Sequence, residues 1–129
     1  MRGLALLSLL ALGGCMAFDQ GPMALTGSWG GPHIGVDLTG GLGAVEFDCA
    51  AGSIDQPIIS GGPFRVPGTY RPGASGPVRV GQIFTAKRAT YSGTATKTTM
   101  TMMVTLEDGE VLGPFDLTLG AAPQITRCL

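Results

Sequence analysis

From Ala86 to Leu119 polar and apolar positions alternate with a period of two. Arg88, Thr90, Ser92, Thr94 and Thr96 interleave with Ala89, Tyr91, Gly93 and Ala95. Met100, Met102, Val104 and Leu106 then interleave with Thr99, Thr101 and Thr105. This period puts alternate side chains on opposite faces of a strand, so each stretch predicts a strand with one buried face. Asp108-Gly109 predicts a hairpin turn that sets Leu106 against Val111, Val104 against Gly113, Met102 against Phe115 and Met100 against Leu117. A turn at Thr96-Lys97 sets Gly93 against Met100 and Tyr91 against Met102. The same phase leaves Met103, Leu112 and Pro114 on the outer face, as an exposed apolar patch for a partner or as a surface lying under a loop.

Upstream the alternation is shorter and more interrupted. Thr26 to Trp29 begins a first strand, and Ile34, Val36 and Leu38 share one face of a second. Val45, Phe47 and Cys49 point inward on a third. If Gly40-Gly41 is a two-residue turn, His33 falls opposite Asp48; a turn longer by two residues sets Asp37 against Glu46. Ile54 to Ile59 reads as a strand interrupted by Pro57. Phe64 to Tyr70 reads as another, broken at Pro67-Gly68. Arg71 to Pro77 is a loop, followed by a brief strand through Val78, Val80 and Ile83-Phe84. Pro123 to Leu129 is expected as a last strand beside the first. With about eight strands and no helix beyond the leader, the fold predicted is all-β, a small antiparallel up-and-down barrel. A flattened β-sandwich is the alternative.

The N-terminus carries a different signal. Arg2 precedes an uncharged run from Leu4 to Ala11 that is too short to span a bilayer as a helix. This is a secretory leader. Leu12-Gly13-Gly14-Cys15 resembles the lipobox of bacterial lipoproteins. That resemblance implies removal of residues 1–14 and acylation of Cys15 (palmitate among the acyl groups). It places the protein in the bacterial cell envelope, lipid-anchored and facing the periplasm. Met16 stands where a retention aspartate would, which by the same resemblance favours the outer membrane. Residues 15–25 show no period and are expected as a lipidated tether, with 26–129 forming one domain.

Composition narrows the class. The chain has 22 glycines and 9 prolines with only 13% charged residues, which suits short strands and turns better than solvated helices. A net charge of −1 gives no reason to expect a nucleic-acid partner. There are three cysteines. Lipidation of Cys15 leaves Cys49 and Cys128 as an even pair, and an oxidising periplasm favours their disulfide. Cys128 is out of phase with its neighbours, so the bridge is expected at a bulge or a strand end.

Candidate chemistry is sparse. His33 is the single histidine, which leaves a zinc site short of ligands; no metal and no cofactor are expected. No Gly-x-Ser-x-Gly elbow surrounds any serine, and Gly41-Leu42-Gly43 lacks the helix that a dinucleotide fingerprint needs. Asp37, Glu46, Asp48 and Asp55 could pair as glycosidase carboxylates, yet their outward phase suits solvated surface better. No catalytic residue is assigned and an enzyme is not expected. Arg65, Arg71, Arg79, Lys87 and Arg88 occupy a segment without an acid, a candidate patch for an anionic partner.

Two further resemblances bear on fold and family. Gly27-Ser28-Trp29 resembles the start of calycin barrels, in which a tryptophan closes one barrel end and a late arginine lies across its ring. Arg127 is the matching arginine, so Trp29 and Arg127 form a candidate barrel-closing pair. The mature chain also resembles a group of small bacterial envelope proteins. The matching pieces are Trp29-Gly30-Gly31 with His33, Phe47-Asp48-Cys49-Ala50, Gly68-Thr69-Tyr70, Gly76-Pro77-Val78-Arg79, Tyr91-Ser92-Gly93 and Arg127-Cys128-Leu129. That group brings no activity to transfer. The expected function is therefore a membrane-anchored, non-enzymatic module that binds a small apolar ligand, a glycan or another envelope protein. The alternative is an inhibitor-like protein that enters an acidic enzyme cleft with residues 65–88.

Overall fold

A computed structural model describes residues 21–73 and 85–128. Cys15, expected as the lipidation site, Arg79 and the strand expected through Val78 and Phe84 lie outside the described residues. Eight strands follow one another around a closed antiparallel barrel: β1 (Gly27–Gly31), β2 (Ile34–Thr39), β3 (Leu42–Phe47), β4 (Ala50–Ile54), β5 (Gly62–Pro72), β6 (Lys87–Ala95), β7 (Thr99–Leu106) and β8 (Val111–Leu119). Closure comes from β1 pairing with β8 through Trp29↔Leu119 and Gly30↔Thr118. Among the described residues every strand has a hydrogen-bonded neighbour on both sides, which protects most of the edge that an open sheet presents.

Alternation decides what fills the barrel. Trp29, Ile34, Ile54, Ile58, Tyr91, Met102 and Val104 are each less than 2% exposed, and Val36, Val45, Phe47, Val66, Met100 and Leu117 complete the core. The interior is packed with side chains, as expected for an eight-stranded barrel of small diameter. Tyr91 reaches across to donate its hydroxyl to the Thr69 carbonyl at 2.7 Å. Gly52 and Gly68 make room for it, since a Cβ at either would strike the tyrosine ring or its hydroxyl. Burial raises the Tyr91 phenol well above its ordinary range.

Several register details differ from the sequence reading. The β6–β7 turn centres on Lys97-Thr98, pairing Gly93 with Met102 and Tyr91 with Val104. The Thr96 hydroxyl accepts the amides of Thr98 and Thr99, which fixes this later turn. The slip is two residues, so every side chain keeps its face. In β7–β8, Met102↔Phe115 and Met100↔Leu117 form as expected, whereas Val104 pairs with Leu112 and Thr105 with Val111. A bulge at Gly113-Pro114 intervenes, where proline has no amide hydrogen to give the ladder. It reverses the phase near the turn, so Leu112 packs against the core and leaves the expected outer patch of Met103, Leu112 and Pro114.

β5 continues through Pro67 instead of breaking there. The Pro67 carbonyl accepts the Asp55 amide, so its missing N–H points to the side where β4 has already ended, and no ladder bond is lost. β4 is Ala50–Ile54, and the strand expected at 54–59 is instead a loop touching the N-terminal segment. Ala24 bridges Ile59, Leu25 donates its amide to the Ile58 carbonyl, and Leu25 and Ile58 are buried. Packing therefore begins inside the segment expected as tether. These residues close the lower end of the barrel, where β1 begins.

The C-terminal segment is also not the expected last strand beside β1. β1 already pairs on both sides, so the chain after Leu119 has no edge to join. It runs up the outside of β1 and β2 as a strap. Gly120 donates its amide to Ser28, the Gln124 amide donates to Gly31, and the His33 amide donates to Gln124. A Cβ on Gly30 would collide with the Ala121 carbonyl, and one on Gly35 with the Pro123 ring. Bare backbone at these two positions lets the strap lie flat.

Candidate functional site

The upper end of the barrel, opposite the N-terminal segment, gathers the chemically distinctive side chains. The two-residue Gly40-Gly41 turn pairs Thr39 with Leu42 and Ile34 with Phe47, leaving His33 and Asp48 facing each other at the strand ends. His33 follows Pro32 in a tight turn with φ 68°, and Cys49 follows Asp48 in another with φ 60°. Histidine tolerates the left-handed region better than most residues. The His33 Nδ1 lies 2.6 Å from one Asp48 oxygen, and the Thr126 amide donates to the other at 2.6 Å. The Thr126 hydrogen bond chiefly, and His33 with it, holds the Asp48 carboxyl below its ordinary value.

Cys49 and Cys128 form a disulfide with Cα atoms 5.0 Å apart. The phase conflict between them disappears because Cys49 sits in a turn and Cys128 in the strap. Asp48 and Cys49 thus hold the strap's end by a charged hydrogen bond and a covalent bond.

Beside this latch lies an open recess of about 200 Å³ lined by His33, Phe47, Asp48, Tyr70, Leu112, Gly113 and Phe115. Its floor is aromatic. Phe47 meets Tyr70 edge-on at a centroid distance of 5.1 Å and meets Phe115 at 5.6 Å. Tyr70 is half-sunk, and burial first, then the Glu110 charge, raises its phenol above the ordinary value. The rim carries the Lys87–Asp108 ion pair at 2.9 Å. This contact raises Lys87, while the Glu110 amide first and then Lys87 lower Asp108. With Nδ1 engaged by Asp48, the other imidazole nitrogen of His33 is the one left to meet a ligand. Among the described residues no group of three His, Cys, Asp or Glu side chains is close enough to hold a metal.

The basic segment does not form one patch. Lys87 pairs with Tyr70 in the inward phase, whereas Arg88 pairs with Thr69 on the outer face. Arg65 and Arg71 are exposed on the same outer face of β5 but stand six residues apart, about 20 Å along a strand. Arg71 and Arg88 are near neighbours. Trp29 is buried and its indole N–H donates to the Thr26 carbonyl at 3.1 Å, while Arg127 is exposed in the strap. No cation–π contact joins the two among the described residues. Asp37 accepts from the Ser28 hydroxyl, Asp55 accepts from Ser53, and Glu46 lies outward, so these carboxylates do not converge with Asp48 and stay on the surface where their phase put them.

Sequence reasoning missed Tyr70, Leu112 and Phe115 as site residues. Tyr70 carries inward phase near the end of β5, and that position is the signal for a barrel mouth, whereas Phe115 carries inward phase at the middle of β8. Leu112 gave none, because the bulge sets its direction. Comparisons with protein-family models, with curated proteins and with solved structures returned no match to this chain.

Proposed function

We propose that the protein is a lipid-anchored, non-enzymatic interaction module of the bacterial envelope that meets its partner with the upper end of the barrel. The observation carrying this reading is the filled interior: Trp29, Tyr91, Met102 and their neighbours leave recognition to the surface. The upper recess is the surface feature that combines an aromatic floor with a positioned imidazole and carboxylate. Aromatic floors with a few directed polar groups suit side chains or ring-bearing groups of a partner. Polar residues dominate the outer face and apolar ones the inside, which is the reverse of a membrane-spanning barrel. The lipobox supplies the anchor and the outer-membrane address.

The test is photocrosslinking in intact cells, with a photoreactive residue at Leu112 in the recess or at Thr101 on the outer wall. A discrete adduct from position 112, absent from 101 and lost in Phe115→Ala, is expected. Equal adducts from both positions, or none from 112, would contradict the reading. Arg71 and Arg88, adjacent on the outer face beside this mouth, support the inhibitor-like alternative. Under that alternative Arg71→Glu with Arg88→Glu removes the adduct while Phe115→Ala spares it.

A further inference from the structure

Exposed apolar side chains are not scattered over this barrel. Five large ones stand out among the described residues: Met23 at 53%, Leu42 at 60%, Ile59 at 43%, Leu119 at 41% and Val111 at 51% exposure. The first four share the lower end. Ile59 bridges Ala24, and Met23 stands beside that bridge, where the Ser60 amide donates to the Met23 carbonyl at 2.9 Å. Leu42 follows the Gly40-Gly41 turn, which lies against Pro57 of the same loop. Leu119 ends β8 with its side chain beside Gly27.

Charge runs the other way. Near the upper end stand His33, Asp48, Arg71, Lys87, Arg88, Glu107, Asp108 and Glu110. The turns and loop of the lower end carry Lys97 and Asp55, and Asp37, Arg65 and Asp116 stand on the outer wall within three residues of that end, where the Ser28, Ser53 and Thr101 hydroxyls donate to Asp37, Asp55 and Asp116. A side chain that leaves water for a lipid interface loses little when it is Leu, Ile or Met and much when it is charged. The lower end therefore suits such an interface and the upper end does not.

Connectivity says what covers this end. The chain enters the barrel there, at Gly21. Five residues separate Gly21 from Cys15, and the six peptide steps between them reach at most about 20 Å. A lipid on Cys15 keeps the lower end within that distance of the bilayer.

We propose that the lower end is a membrane-docking face. Met23, Leu42, Ile59 and Leu119 seat at the boundary between head groups and acyl chains, and the barrel stands upright with its recess pointing away from the bilayer. This rests on the lipid-anchor reading above.

The test uses the mature lipidated chain in vesicles of phosphatidylethanolamine and phosphatidylglycerol, with acyl chains brominated as short-range quenchers. Leu42→Trp, Leu119→Trp and Val111→Trp are compared, Trp29 providing a constant background. The variants at 42 and 119 are expected to emit at shorter wavelength and to lose at least half of the added emission to the quencher. Val111→Trp is expected to lose none. Ile59→Asp added to Leu119→Trp should restore emission without changing flotation. Protein that floats with the vesicles yet shows equal quenching at 42 and 111 overturns the docking face alone. Protein that does not float overturns the anchor and the docking face together.

Discussion

Gly30 carries the weight of the strap, and replacing it with alanine tests that directly. The added Cβ would collide with the Ala121 carbonyl and lie 2.7 Å from the Pro123 nitrogen. Ordinary contact between such atoms needs 3.5–4.0 Å, so the strap must lift by about 1 Å. Its neighbours are backbone on both sides, and a rotamer change cannot relieve the clash. Lifting stretches the paired bonds at Gln124, now 3.0 Å to Gly31 and 2.9 Å from His33. Two such bonds are worth about 1–3 kcal/mol, and alanine returns about 0.4–1 kcal/mol by restricting the unfolded chain. A net loss of about 0.5–2 kcal/mol in urea unfolding is expected, with faster amide exchange at Gln124. Gly21→Ala, whose Cβ meets nothing within 4 Å, serves as the control. If Gly30→Ala matches that control in both stability and Gln124 exchange, the strap is not seated as described.

Three other outcomes follow from the same contacts. Cys49→Ala with Cys128→Ala removes a bridge spanning 79 residues, for which chain entropy gives about 4.5 kcal/mol and measured cases about 2–5; a loss under about 1 kcal/mol would show the strap end held without it. Tyr91→Phe strips the Thr69 carbonyl of its buried donor and should cost about 1–3 kcal/mol in the same assay, whereas a neutral result would mean that another donor serves Thr69. Because the folded Asp48 carboxyl lies below its ordinary 3.8, its stabilisation is complete above that pH and is lost as pH falls through the folded value. The melting-temperature gap between wild type and Asp48→Asn should therefore be present near neutrality and close in acid; a gap that persists at low pH assigns it to another group.

Much of the architecture was legible because closing a small barrel requires a strict period of two. Val36, Val45, Met100, Met102 and Val104 point where alternation puts them. The two-residue Gly40-Gly41 turn was one of two registers open to the sequence, and it alone decides that His33 meets Asp48. What escaped was non-local. The bulge that turns Leu112 inward depends on Pro114 meeting β7, and the passage of β5 through Pro67 depends on β4 having ended at Ile54. A last strand beside the first was expected at Pro123 to Leu129, a reading that cannot register that β1 is already paired on both sides. Barrel closure likewise does not draw on a Trp29–Arg127 stack. The clustering of Met23, Leu42, Ile59 and Leu119 was illegible for a simpler reason: turns far apart in sequence meet only when the sheet closes.

The address of the protein can be read from one number, the intact mass of the chain purified from its native envelope by detergent. Cleavage before Cys15, acyl chains on that residue and a mass two hydrogens short for Cys49 and Cys128 are predicted. An unprocessed chain with an unmodified Cys15 would contradict the account, leaving the barrel without its membrane and its lower end without the surface that covers it.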